Sequence, residues 1–279
     1  MGNSISWQRE LGSFLKSGTP EQAETASLWL CAIGLQGVDG LEPSQYLVKA
    51  ALRHVRGKIT LSQLKSQLYR HYRWHRHSKD LGRDTWEADL VSLHIVELLL
   101  EPGFRFEPME LRRIHHHLFE DVYDFAGNFR DYDISKRETV LGGESVNYLD
   151  YPLIPQALDR IFGEEQKFTY RGLPPQQIIR RLAQFISAVW IIHPYGEGNT
   201  RTTAVFLMKY LKARHLKMRR EVFAGNAWYF RNSLVRANYA DTQQEVFPTY
   251  EFLERFLENL LLKKDNVLVS RHMSISFQW

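Results

Sequence analysis

The chain has 279 residues, 44% hydrophobic and 24% charged, with a formal net charge of +4. These values exclude a fibrous or disordered chain and leave room for a sizeable core in one or two domains. The mild positive charge is below that of a dedicated nucleic-acid coat, so no nucleic-acid partner is expected, yet it suits a nucleotide, which needs only a few well-aimed cations. One cysteine, Cys31, rules out an internal disulfide and favours a reducing compartment. No apolar run approaches the ~18 residues of a membrane span, and no secretory signal is expected at the start.

Residues 1–19 are polar and close on KSGTP, read as a loop before a helix that Thr19 caps and Pro20 begins. In the following EQAETASLWLCAIGLQG, Leu28, Cys31, Leu35 and Val38 recur at helical spacing. Ser44 starts a third segment, QYLVKAALRHV, and Thr60 caps a fourth, TLSQLKSQLYRHYRWH. Residues 80–83 read as a loop. TWEADLVSLHIVELLL is a strong helix ended by Pro102-Gly103. EPMELRRIHHHLFEDVYDFAG is another, with Leu111, Ile114, Leu118 and Val122 as its stripe and Gly127 as its stop. Residues 128–149 mix polar and β-branched residues around Gly142-Gly143, which predicts a β-hairpin flap. Helices return over PLIPQALDRIFG, PQQIIRRLAQFISAVWII, TRTTAVFLMKYLKARH, NAWYFRNSLVRANY and YEFLERFLENLLLKK, and a loosely held tail follows from Asp265.

The break between two of these helices, IIHPYGEGNTRTTA, carries the chemistry. The first amides of the helix that starts near Asn199 have no intrahelical partner and, with the helix dipole, form an anion site. Gly196 and Gly198 let the backbone turn and approach a ligand. Asn199 adds a side-chain donor, and Arg201 offers a forked guanidinium to phosphate oxygens. Glu197 would repel phosphate unless it binds a divalent cation shared with it, as Mg²⁺ does with one or two carboxylates. His193 at the loop entry is placed to take a proton from an incoming hydroxyl. A loop that merely turns the chain does not account for His, Glu, Asn and Arg within nine positions. Neither a Walker loop nor a His-Glu-x-x-His helix is present.

The same stretch resembles the Fic signature, His-x-Phe-x-(Asp/Glu)-Gly-Asn-Gly-Arg-x-x-Arg. His193, Glu197, Gly198, Asn199 and Arg201 match it, and Tyr195 replaces the phenylalanine. IHHHLFEDVYDFAGNFRDYDISK resembles the family's helix leading into its flap, so the likeness runs over roughly residues 85–262. It implies an all-α Fic fold with a small β-hairpin flap, and transfer of AMP from ATP to a Ser, Thr or Tyr hydroxyl of a protein. By resemblance His193 is the base, Glu197 the Mg²⁺ ligand, Gly198 and Asn199 the anion hole, and Arg201 the grip on the distal phosphates. Lys136 and Arg137 lie on the flap that clamps the target protein, and Tyr229 and Asn232 fall in the adenine pocket. Thr200 takes the place of the second motif glycine, which puts a β-carbon near the phosphates. It is not the lysine of the Doc branch, whose chemistry is phosphotransfer. Ala204 stands where a second arginine is expected.

GLEPSQYLVKAALRHVRGKITLSQL resembles the small antitoxin that restrains some Fic proteins. The inhibitory run would be Leu35–Gly40, with Asp39 in place of a glutamate and no hydroxyl before it, and an Asp39–Arg201 pair would restrain ATP use. The expected organisation is an antitoxin-like unit over residues 1–78, a Fic domain over 79–264 and a tail over 265–279. A catalytically weak nucleotide-binding interaction module and a Doc-type phosphotransferase are the alternatives, and self-association is left open. Location in a bacterial cytoplasm is expected. MGNSIS carries the Gly2 and Ser6 pattern of N-myristoylation, read first as a disordered start and alternatively as the mark of an effector delivered into a host cell. RHYRWHRH is read as a solvated helix face with Tyr72 and Trp74 turned inward, and a His71–His75 metal pair as the weaker reading.

Overall fold

The computed structural model describes residues 4–75 and 83–275. The Gly2 pattern, part of the RHYRWHRH run and the Trp74 and His75 side chains lie outside what is described. Among the described residues the fold is all-α, and no helix is long and apolar enough to cross a membrane. The chain divides into two compact units, one of Met1–Glu101, Leu118–Asp124 and Arg220–Ala227, the other of Pro102–His117, Phe125–Arg219 and Trp228–Trp279. This division runs past the expected boundary after residue 78 and places the strong fifth helix with the N-terminal ones.

In the first unit, helix α2 (Pro20–Gly34) packs against α1 (Ser4–Ser17), α3 (Gln45–Val55) and α5 (Arg83–Leu100). Thr19 caps α2 through Gln22, whose side chain bonds back to the Thr19 amide. Leu28, Cys31, Leu35 and Val38 are all buried, as their spacing predicts. The early polar residues form α1 rather than a loop, because Trp7 and Leu11 sit four apart and bury one stripe. Ser44 caps α3 and Thr60 caps α4 (Leu61–His75). Buried Asp89 of α5 ties three of these helices together. It accepts from the Ser44 amide at 2.8 Å, the Ser44 hydroxyl and the Tyr72 hydroxyl at 2.6 Å, and burial pushes its carboxyl up to about 6. His71 stacks on Tyr46, with ring centroids 4.1 Å apart.

In the second unit, α8 (Pro175–Ile192) packs against α7 (Ile154–Gln166), α9 (Asn199–Ala213) and α11 (Glu251–Leu261). Phe106, Phe162, Phe185, Phe206 and Tyr210 form one aromatic cluster among them. Beside it, fully buried Glu165 accepts from Tyr170, Tyr210 and Arg181, so its charge is matched by donors. These contacts tie α7, α8 and α9 together on both sides of the break between α8 and α9.

Three expectations change. The helix α6 (Pro108–Phe119) ends eight residues before Gly127, because the Val122 and Tyr123 amides turn back onto the Phe119 carbonyl. The flap is no β-ladder. A backbone pair from Glu138 to Glu144 closes it around a 3₁₀ turn, Thr139–Leu141, while the Lys136 amide bonds the Ser145 hydroxyl instead of a carbonyl. With that amide taken by a side chain, the pairing does not extend to Lys136. The tail from Asp265 is partly anchored, since Met273 is buried and the Ile275 amide donates to the Val140 carbonyl.

Candidate active site

Helix α8 stops because Pro194 has no amide to offer and its ring excludes a further helical turn. His193 takes the left-handed conformation there, with φ 48° and ψ 60°, which costs about 1–3 kcal/mol for a residue with a β-carbon. Arg130 stabilises the distortion. Its guanidinium is fully buried and donates from Nε to the His193 carbonyl at 2.8 Å and from Nη2 to the Ile192 carbonyl at 3.4 Å. The same side chain bonds the carbonyls of Tyr132 and Leu149, and its backbone amide reaches the Pro194 carbonyl at 2.8 Å. One cation thus fastens the end of α8 to both limbs of the flap.

The His193 imidazole is 2% exposed, and its Nδ1 is buried without a hydrogen-bond partner. The Tyr148 ring lies 4.2 Å away and the Trp190 ring 5.3 Å, between centroids. Burial holds the imidazole well below the usual histidine range, and the positive charges of Lys136, Arg231 and Arg130 hold it lower still. It is therefore neutral at neutral pH, the form that accepts a proton.

The rest of the loop is braced from within. Asn199 accepts from the Tyr195 amide at 3.0 Å and donates to the Tyr195 carbonyl at 2.7 Å. Its side chain, read as a phosphate donor, braces the loop through these two bonds. His115 accepts from the Gly127 amide at 2.8 Å and donates to the Glu197 carbonyl at 3.1 Å. Burial drives its imidazole down to about 3, so it is neutral. Its ring stacks on Tyr195 at 3.7 Å. Gly198 is left-handed at φ 78° and caps α9, so the amides of Asn199, Thr200 and Arg201 open that helix. Gly196 leaves room for the Tyr132 hydroxyl, which would stand 2.5 Å from a β-carbon there.

Thr200 is turned away from this helix start: its hydroxyl accepts from the Trp190 indole at 2.9 Å, and the side chain is buried. Arg201 is 1% exposed, and Ala204 is fully buried with no polar group to replace an arginine.

Lys136 of the flap donates to both Glu197 oxygens at 3.0 Å. The Glu197 carboxylate is half exposed beside the α9 amides, and a positive charge is already seated on it. Arg137 next to it is exposed. Tyr229 and Asn232 are buried in α10 (Phe223–Asn238), and neither is drawn into the loop's hydrogen bonds. The Tyr229 hydroxyl has no partner, and burial pushes it up to about 12. Arg231, between them, is the α10 residue that reaches the flap. Neither it nor Arg130, Tyr148 and Glu138 is singled out by the sequence reading, and His115 is weighed there only as part of the run His115–His117, whose consecutive side chains cannot hold one metal ion together. Several of their partners lie 19–93 residues away in sequence, and many are backbone carbonyls or loop residues.

Tyr195 supplies a direct check on this packing. Its hydroxyl is buried and unpartnered, so Tyr195→Phe removes an unsatisfied group and keeps the ring on His115. The variant is expected to gain about 1 kcal/mol in urea unfolding with nucleotide binding unchanged. A loss of stability would show that the hydroxyl is satisfied.

Three comparisons bear on this arrangement. The sequence profile of the Fic/DOC family matches residues 105–211. The probable protein adenylyltransferase y4lH of Sinorhizobium fredii is 31% identical over 99 residues, 34% of this chain and 47% of that protein. Protein adenylyltransferase VbhT of Bartonella schoenbuchensis is 32% identical over 103 residues, 37% of this chain and 20% of that protein. The match thus spans half or less of either relative. The N-terminal FIC domain of Bep8, a VirB-translocated effector protein of Bartonella sp. 1-1C, superposes with a TM-score of 0.51 at 18% identity, over 66% of this chain and 88% of that one. That likeness concerns the fold, which is the Fic fold. The motif, the profile match over residues 105–211 and the helical frame thus agree on a likeness to the Fic/DOC family.

Proposed function

We propose that the chain transfers AMP from ATP to a hydroxyl of a partner protein. The observation that carries this reading is the convergence of a neutral buried imidazole, the opening amides of α9 and the Glu197 carboxylate on one braced loop. The names of the two adenylyltransferase relatives support it.

In this reading the amides of residues 199–201 and the Arg201 guanidinium hold the phosphates. His193 takes the proton of the incoming hydroxyl as its oxygen bonds to the α-phosphorus. The bond from that phosphorus to the bridging oxygen breaks, and pyrophosphate leaves with the electron pair. Glu197 fits Mg²⁺, since a lone half-exposed carboxylate that already carries a cation matches a metal completed by phosphate oxygens and waters. Bound there, the metal would supply charge neutralisation on the phosphates. Lys136 would have to leave the carboxylate as the metal arrives. Gly198 lets the backbone turn into the first amides of α9, Gly196 makes room for Tyr132 beside the nucleotide, and Tyr229 and Asn232 are the adenine-side residues. Arg137, exposed on the flap, is placed for a target segment. Behind Tyr148, a cavity of about 320 Å³ floored by Ile161, Ala188 and Ile191 opens beside the flap's return limb.

Incubation of the full chain with ATP labelled at the α- or the γ-phosphate tests the reaction. α-Label on protein that is lost in His193→Ala is expected. γ-Label alone would replace this reading with phosphotransfer, and binding without either label would replace it with an interaction module, the reading that Thr200 and Ala204 motivate.

A restraining role for the N-terminal unit belongs to the same proposal. Asp39 is exposed at the end of the 3₁₀ turn Leu35–Asp39, followed by left-handed Gly40. If it limits productive ATP binding, Asp39→Ala raises self-labelling several-fold over the parent chain. Equal labelling of the two would remove the inhibitory role.

A further inference from the structure

Glu138 directly follows the basic pair of the flap, yet its carboxylate is turned inward and is 1% exposed. Arg231 of α10 grips it with two prongs, Nη1 on Oε2 and Nη2 on Oε1 at 2.9 Å. The Tyr148 hydroxyl, from the return limb of the flap, donates to the same Oε1 at 3.2 Å. The Tyr148 ring in turn lies against the His193 imidazole, tilted by 43°, and its centroid is 5.8 Å from that of the Trp190 ring. Arg231 also stands over the Trp228 ring at 5.5 Å. A carboxylate removed from water needs such donors, and removal of one of them leaves a buried charge exposed to no partner of equal strength. Here those donors come from two separate segments that meet beside the imidazole.

We propose that Glu138 and Arg231 are positioning residues: their buried ion pair bolts the flap to α10 and holds the Tyr148 ring against the His193 imidazole. For its activity arm the inference rests on the AMP-transfer reading; its structural arm stands without it. The charged groups that face His193 are Lys136 from the flap, Arg231 from α10 and Arg130 from the segment after α6, with Glu138 offsetting Arg231.

The test uses the full chain and the variants Arg231→Met, Arg231→Lys, Glu138→Gln and Tyr148→Phe. In the nucleotide-free protein, the His193 ring signals in the NMR spectrum are assigned against His193→Ala and carry the ring-current shift of Tyr148. Arg231→Met and Glu138→Gln should lose most of that shift. Arg231→Lys keeps the charge but not the fork and should lose part of it. Tyr148→Phe keeps the ring, loses its tether and should also lose part, and it keeps the question open to refutation if the buried-charge variants do not fold. In the labelling assay, kcat should fall roughly 10- to 100-fold in Arg231→Met, with KM for ATP little changed.

The pH profile separates this role from simple bracing. Loss of the Arg231 cation favours the imidazolium, so the acid limb moves to higher pH in Arg231→Met. Loss of the Glu138 anion disfavours it, so the limb moves to lower pH in Glu138→Gln. Unmoved His193 signals in folded variants, or pH limbs that shift in the same direction, would overturn the proposal. Absence of α-label in the parent chain would overturn the transfer reading instead, and the NMR arm would still decide the role of the pair.

Discussion

A single buried guanidinium sets the geometry on which the loop depends. Arg130 is coordinated by carbonyls at the end of α8 and on both limbs of the flap. The carbonyl end of a helix carries partial negative charge, and a cation there is worth more when it is dry. The four acceptors also satisfy a charge that would otherwise be costly to bury. The left-handed turn at His193 is thus compensated beside the place where it is needed, and the imidazole is presented at the edge of the α9 amides rather than continuing along α8.

Around this pivot the loop residues divide into supports and ligands. Asn199 and His115 spend their polar atoms on the loop's own backbone, and Thr200 spends its hydroxyl on Trp190. In the proposed reading, what is left for a ligand is the set of helix-opening amides, the Arg201 guanidinium, the Glu197 carboxylate and the imidazole. This is a preorganised arrangement, in which donors are oriented before charge develops. It also explains why Thr200 is tolerated at a position expected to be glycine: the backbone contributes its amide whatever the side chain, provided that the side chain turns inward. Lys136 on Glu197 neutralises an anionic group beside the first amides of α9.

The motif was legible because a helix break that gathers His, Glu and Arg at short spacing has few other physical explanations. The caps at Thr19, Ser44 and Thr60 were legible for a similar reason, as each places its oxygen within three residues of the amide it serves. Long-range partners were not. Arg130 meets His193 across 63 positions, and Arg231 meets Glu138 across 93. In sequence each is an ordinary charged residue, because neither a carbonyl acceptor nor a carboxylate 93 positions away leaves a mark in side-chain spacing. Helix α1 was concealed by its polar composition, although Trp7 and Leu11 carry its buried stripe. The flap was misread as a ladder because its turn residues are those of a hairpin, while a serine hydroxyl takes the pairing role of a backbone carbonyl.

A crystal structure of the chain with Mg²⁺ and a non-hydrolysable ATP analogue bears on the whole arrangement at once. The phosphates should lie on the amides of residues 199–201, with the α-phosphorus facing His193 and the metal on Glu197 in place of Lys136. A nucleotide bound with its phosphates elsewhere, while the Lys136–Glu197 pair stays closed, would contradict the assignment of this loop as the reaction centre.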